Sequence, residues 1–120
     1  MNYLINSVIL FVAVLHLYFL YLEMFLWQKP IGLKIFRNDA EFAKKSSVLA
    51  ANQGLYNGFL AAGLIWSVIS QGSMNVELKI FFLSCVLIAG VFGGITVSKK
   101  IFFIQALPAL VALVLVSMFA

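Results

Sequence analysis

The chain has 120 residues, 64% of them hydrophobic and only 10% charged, a balance that no soluble domain of this size can hide in its interior. Its formal net charge of +4 does not point to nucleic acid, because such a binder gathers its cations on a water-exposed face beside stacking aromatics, and here the aromatics lie within the apolar runs. The lone Cys85 excludes an internal disulfide, a dithiol pair and a cysteine-rich metal site.

A spanning helix needs about 20 mostly apolar residues, and lipid cannot hydrogen-bond the backbone, so each such run must be helical. Four runs qualify: residues 3–27, 48–70, 76–97 and 101–119. The first begins without Lys or Arg and stays apolar too long for a cleaved signal, so it reads as a retained helix. The expected fold is all-α: a polytopic membrane protein with four transmembrane helices in an antiparallel bundle, forming a single domain over residues 1–120.

The connection over residues 28–47 holds Lys29, Lys34, Arg37, Lys44 and Lys45. Pro30 and Gly32 break the chain there, and Asn38 followed three residues later by Glu41 has the spacing of a helix N-cap with a capping-box partner. Helix two is therefore expected to run without interruption over residues 39–70, with 48–70 in the membrane. The second connection, 71–75, has no basic residue, and the third carries Lys99 and Lys100. Only Lys79, near the outer end of helix three, lies outside these basic connections. The positive-inside rule puts 28–47 and 98–100 in the cytoplasm of a bacterial plasma membrane. Four crossings then leave Met1 and Ala120 both outside.

Gly54, Gly58 and Ala62 recur every four residues, as do Gly90 and Gly94, the spacing that lets helix backbones approach closely in lipid. They serve either the chain's own core or a homodimer contact. Pro108 is expected to kink helix four one turn beyond Gln105.

Polar side chains within a bilayer cost energy and usually face the protein interior. Counted from the cytoplasmic ends at 1.5 Å per residue, Glu23 lies about 6 Å deep, Asn52 and Gln53 about 8 to 9 Å, Thr96 about 4 to 5 Å and Gln105 about 7 to 8 Å. Tyr56 and Asn57 lie deeper in helix two, and His16 is near the middle of helix one. All four helices thus contribute to one polar layer in the cytoplasmic half, and the outer half has no comparable layer. An ionised Glu23 at this depth needs water, a cation or several donors beside it. The layer reads either as a ligand pocket, with Glu23 and His16 as candidate catalytic groups, or as structural glue with Glu23 paired to Arg37, Lys100 or another cation. Tyr18, Tyr21 and Trp66 read as packing or interface aromatics.

The segments HLYFLYLEMFLW from His16, LAANQGLYNGFLAAGLIW from Leu49 and GGITVSKKIFFIQALPAL from Gly93 resemble the bacterial four-helix membrane proteins known as domain of unknown function 1304. The resemblance covers essentially the whole chain, and residues 52–58, NQGLYNG, carry its most specific part. It implies a fold and a membrane location, but no established activity. Some members bear the label of epimerase, whereas this sequence has no Gly-rich dinucleotide loop after a strand.

Three functions fit the residues. The first is a protein that binds or transports a small amphipathic or cationic molecule in a pocket open to the cytoplasm, with a homodimer supplying the enclosure that four short helices lack. The second is a membrane-embedded enzyme, isomerase-like, epimerase-like or lipid-modifying, with Glu23 as general acid or base. The third is an accessory membrane subunit without pocket chemistry. No metal or cofactor site is expected, since a single His supports neither bis-histidine haem nor a His-rich metal site.

Overall fold

The structure, a computed structural model, describes residues 1–120. The chain is all-α. Helix α1 spans Asn2–Met24. A short helix α2 follows over Pro30–Phe36, with Pro30 in its first turn, where the missing N–H costs nothing and the fixed φ favours helix. The expected break at Pro30 and Gly32 is thus a helix start. Arg37 closes α2 in the left-handed conformation, φ 55°.

Helix α3 covers Ala40–Lys45 and α4 covers Ser47–Ile69. The expected single helix over residues 39–70 is divided at Ser46, and its cap is Asp39 rather than Asn38. The Asp39 carboxylate accepts from the Phe42 N–H at 2.7 Å. The division follows from two consecutive serines whose hydroxyls compete for backbone carbonyls. Ser46 Oγ donates to Phe42 O at 2.7 Å and Ser47 Oγ to Lys44 O at 3.0 Å. Ser46 also leaves helical geometry, at φ −97° and ψ 4°.

Gly72, at φ 76°, turns the chain into α5, Ser73–Thr96. A tight turn at Ser98 leads to a π-helical segment, Phe102–Ala106, which runs into α6, Leu107–Phe119. Pro108 explains the wide turn, because its ring collides with the carbonyl four residues earlier and the backbone opens to avoid it. The expected kink in helix four is this π turn, and it contains Gln105.

Asn2–Met24, Ser73–Thr96 and Phe102–Phe119 are long and apolar enough to cross a membrane. Helix α4 matches α1 in length at 23 residues, but Asn52, Gln53 and Asn57 lower its apolarity. By length and composition the chain therefore has three candidate spans rather than four.

The packing resolves into two units, one of Met1–Ala13 with Leu60–Ala120 and one of Val14–Phe59. The first has an apolar core that includes Ile9, Leu64, Leu83, Val86 and Ala112. Gly90 lets α5 lie against the backbone of Ala106, where a β-carbon would sit 2.5 Å from its nitrogen. In the second unit, Trp27 stacks on Phe36 with ring centroids 4.7 Å apart and donates from Nε1 to Ser46 Oγ at 3.1 Å. Gly54 and Gly58 of α4 face α1 there. A β-carbon on Gly54 would meet Glu23 Cβ at 3.1 Å and Leu20 O at 3.2 Å, and one on Gly58 would meet Leu20 Cδ1. Gly54, Gly58, Gly90 and Gly94 thus all serve contacts within the chain.

Candidate functional site

Glu23 occupies the last turn of α1 and is 3% exposed. The close approach at Gly54 brings α4 within reach of it. Gln53 and Asn57, four residues apart and so on one face of α4, divide the carboxylate between them. Gln53 Nε2 donates to Oε2 at 2.6 Å and Asn57 Nδ2 to Oε1 at 2.5 Å. No cation takes part, since the chain's ion pair is Lys45 with Glu41 at 3.1 Å. Of the two expectations for Glu23, donors from helix two such as Gln53 or a cation such as Arg37 or Lys100, the structure has the donors, and Asn57 joins Gln53.

A carboxylate has about four lone-pair directions, so each Glu23 oxygen keeps capacity beyond its amide. Glu23 also borders a recess of about 340 Å³, whose other walls include Met24, Phe25, Trp27, Lys29 and Ser47. The recess is therefore part apolar and part polar, with a carboxylate already held in position at its wall.

The remaining expected site residues divide. His16 is fully buried, with its ring edge-to-face against Phe19 at 5.4 Å between centroids. Asn52 is exposed and bonds within its own helix, Nδ2 to Val48 O at 2.9 Å. Tyr56 is 60% exposed, its ring beside Phe59. Thr96 is exposed and donates to Phe92 O one turn back, and Gln105 is partly buried in the π turn. The hydrogen bonds thus gather Glu23, Gln53 and Asn57, whereas Asn52 and Thr96 satisfy themselves locally.

A second polar cluster was not foreseen from the sequence. Lys79, 5% exposed, donates from Nζ to Asn75 Oδ1 at 2.6 Å. Asn75 Nδ2 in turn donates to Ser67 O at 2.7 Å and Ser70 O at 2.9 Å. The signal was present as the four-residue spacings of Asn75 to Lys79 and of Asn2 to Asn6, each of which puts two polar groups on one helix face.

The profile of the family described as "Protein of unknown function (DUF1304)" matches residues 10–117. The chain belongs to this family. A relative from Lactococcus lactis subsp. lactis (strain IL1403), named "Uncharacterized protein YpaA", is 33% identical over 107 residues, spanning 88% of this chain and 89% of the relative. No solved structure matches the chain. The DUF1304 match contains Glu23, Gln53 and Asn57, so the amide-held carboxylate lies within the part of the chain that defines its membership.

Proposed function

We propose that the protein is an integral membrane protein that binds, and in a transport cycle carries, a small amphipathic or cationic molecule at Glu23. The observation that carries this reading is the buried carboxylate fixed by Gln53 and Asn57 at the wall of a partly apolar recess. Two amide donors stabilise negative charge without neutralising it, which leaves a cationic head group as the natural complement. Met24, Phe25 and Trp27 suit the apolar part of such a molecule, and the recess volume lies at the small end of ligand sites, roughly 300–1,000 Å³. A general acid or base must exchange its proton freely. With lone pairs still open on both oxygens, Glu23 also suits the isomerase-like or lipid-modifying alternative, and the partly apolar recess is what favours binding of an amphipathic molecule.

In this reading α4 is a fourth crossing despite its amides, because Gln53 and Asn57 are engaged with Glu23. The five cations between Lys29 and Lys45, with Lys99 and Lys100, then lie in the cytoplasm and both termini outside, in the bacterial plasma membrane. The recess opens from the cytoplasmic end, and the exposed Asn52 and Tyr56 are polar groups through which a homodimer could enclose the ligand.

Equilibrium dialysis of labelled tetraphenylphosphonium against protein in nanodiscs tests the site. The wild type and Glu41→Gln should bind alike, and Glu23→Gln about tenfold or more weaker, the equivalent of one lost charge-assisted contact. Equal binding by all three would remove Glu23 from the reading.

A further inference from the structure

At the other end of α1, its first two turns border a second recess of about 470 Å³, lined by Asn2, Asn6, Gln71, Gly72, Asn75 and Lys79 among others. Four features of this recess converge. Lys79 is buried yet pairs with no carboxylate, and of its three N–H donors one is taken, by Asn75. That asparagine is held in orientation by its two bonds to Ser67 and Ser70, so the remaining donors of Lys79 are not competing for it. Helix α5 starts at this recess with Gly72 as its cap residue and no side chain bonded to its first N–H groups, and the free N–H groups and dipole of such a terminus favour an anion. Finally, the Asn6 Oδ1 is buried without a hydrogen-bond partner, which calls for a donor from whatever fills the space.

A membrane lysine without a counter-ion commonly extends its stem so that the ammonium reaches the water boundary. That account predicts an exposed side chain, and Lys79 is 5% exposed. Glu77, two residues away, is exposed and forms no ion pair.

We propose that this recess binds a phosphate group carrying a hydroxyl substituent, with Lys79 and the α5 N-terminus receiving the phosphate oxygens and Asn6 Oδ1 accepting from the hydroxyl. The cavity is larger than a bare phosphate requires, and Lys79 stands in the second turn of a helix apolar enough to cross a membrane. A position so near the end of a spanning helix is within a lysine's reach of the polar boundary, where lipid phosphates lie. A phosphoglycerol lipid head group and a free glycerol phosphate have the same recognition chemistry, and the site is separate from the Glu23 recess.

Native mass spectrometry of the full chain, released from nanodiscs of mixed phosphatidylglycerol and phosphatidylcholine, reads the lipid arm. Thermal shift in lipid-free detergent with glycerol 1-phosphate or inorganic phosphate reads the soluble arm. The wild type should retain phosphatidylglycerol over phosphatidylcholine by about tenfold, the worth of one charge-assisted bond, or be stabilised by glycerol 1-phosphate more than by inorganic phosphate. The first result identifies the lipid as the source and the second a soluble ester. Lys79→Gln should abolish the effect and Lys79→Arg, which keeps the charge and guards against a folding defect, should preserve it. Asn6→Leu should narrow the preference for the hydroxyl-bearing ligand while the protein still folds. Failure of the wild type in both arms, or full binding by Lys79→Gln, would overturn the proposal.

Discussion

Replacing Asn57 by leucine removes the donor to Glu23 Oε1 while keeping the branched shape, and leaves a carboxylate oxygen buried beside an apolar side chain. A hydrogen bond to a charged group contributes about 1.5–3 kcal/mol in soluble proteins, whereas interhelical hydrogen bonds in membrane proteins average about 0.6 kcal/mol and reach about 1.7. The two ranges overlap near 1.5 kcal/mol, and because Glu23 is 3% exposed, with little water to replace the lost donor, the upper membrane value is the appropriate one. Asn57→Leu should therefore lower stability by about 1.5 kcal/mol, roughly tenfold in the folding equilibrium. Unfolding by sodium dodecyl sulfate from mixed micelles, followed by tryptophan fluorescence, measures it. The combined variant Glu23→Met, Gln53→Leu and Asn57→Leu, which removes the carboxylate and both donors together, should recover most of that loss, since apolar replacement of a whole polar set is close to neutral. A single variant within about 0.3 kcal/mol of wild type, or a triple variant whose loss is the sum of three independent losses, would refute the coupling of these side chains.

Gly90→Leu should destabilise the protein by about 1–3 kcal/mol in the same titration, because the backbone of Ala106 that it would meet cannot move aside as a flexible side chain could; a gain of about 1 kcal/mol, the helix preference for a residue other than glycine, would contradict that close approach. Reporter fusions at Met1 and Ala120 should both report the outer compartment and a probe beside Arg37 the cytoplasm. Termini on opposite sides would show that α4 does not cross, leaving the three apolar spans alone.

The helices were readable from the sequence because apolar runs of about 20 residues have the length and character of helical spans, although the run over residues 48–70 is not among the three candidate spans. The segment around Ser46 was not, because its course depends on competition between serine hydroxyls and backbone carbonyls rather than on polarity. In the same way Pro108 announced a disturbance but not its form, a π turn that contains Gln105. For the site, depth along a helix put Glu23 and Gln53 at a similar level, but that Gln53 and Asn57 share the face of α4 that meets Glu23 is a finding of the structure. Depth does not give the rotation of one helix against another. Asn52 and Tyr56, the residues just before Gln53 and Asn57, are accordingly exposed, and Thr96 bonds to its own helix. Lys79 read as a lone cation near a helix end, whereas its burial depends on the fold around Asn75.

The ligand at Glu23 is tested most directly by mass spectrometry of the polar and lipid-soluble molecules that co-purify with the protein, compared between the wild type and Glu23→Gln prepared identically. The account predicts a cationic or amphipathic species retained by the wild type and lost from the variant. Identical sets of co-purifying molecules from two equally folded proteins would contradict a ligand held by Glu23, and would favour an accessory subunit in which the Glu23, Gln53 and Asn57 cluster only fastens α1 to α4.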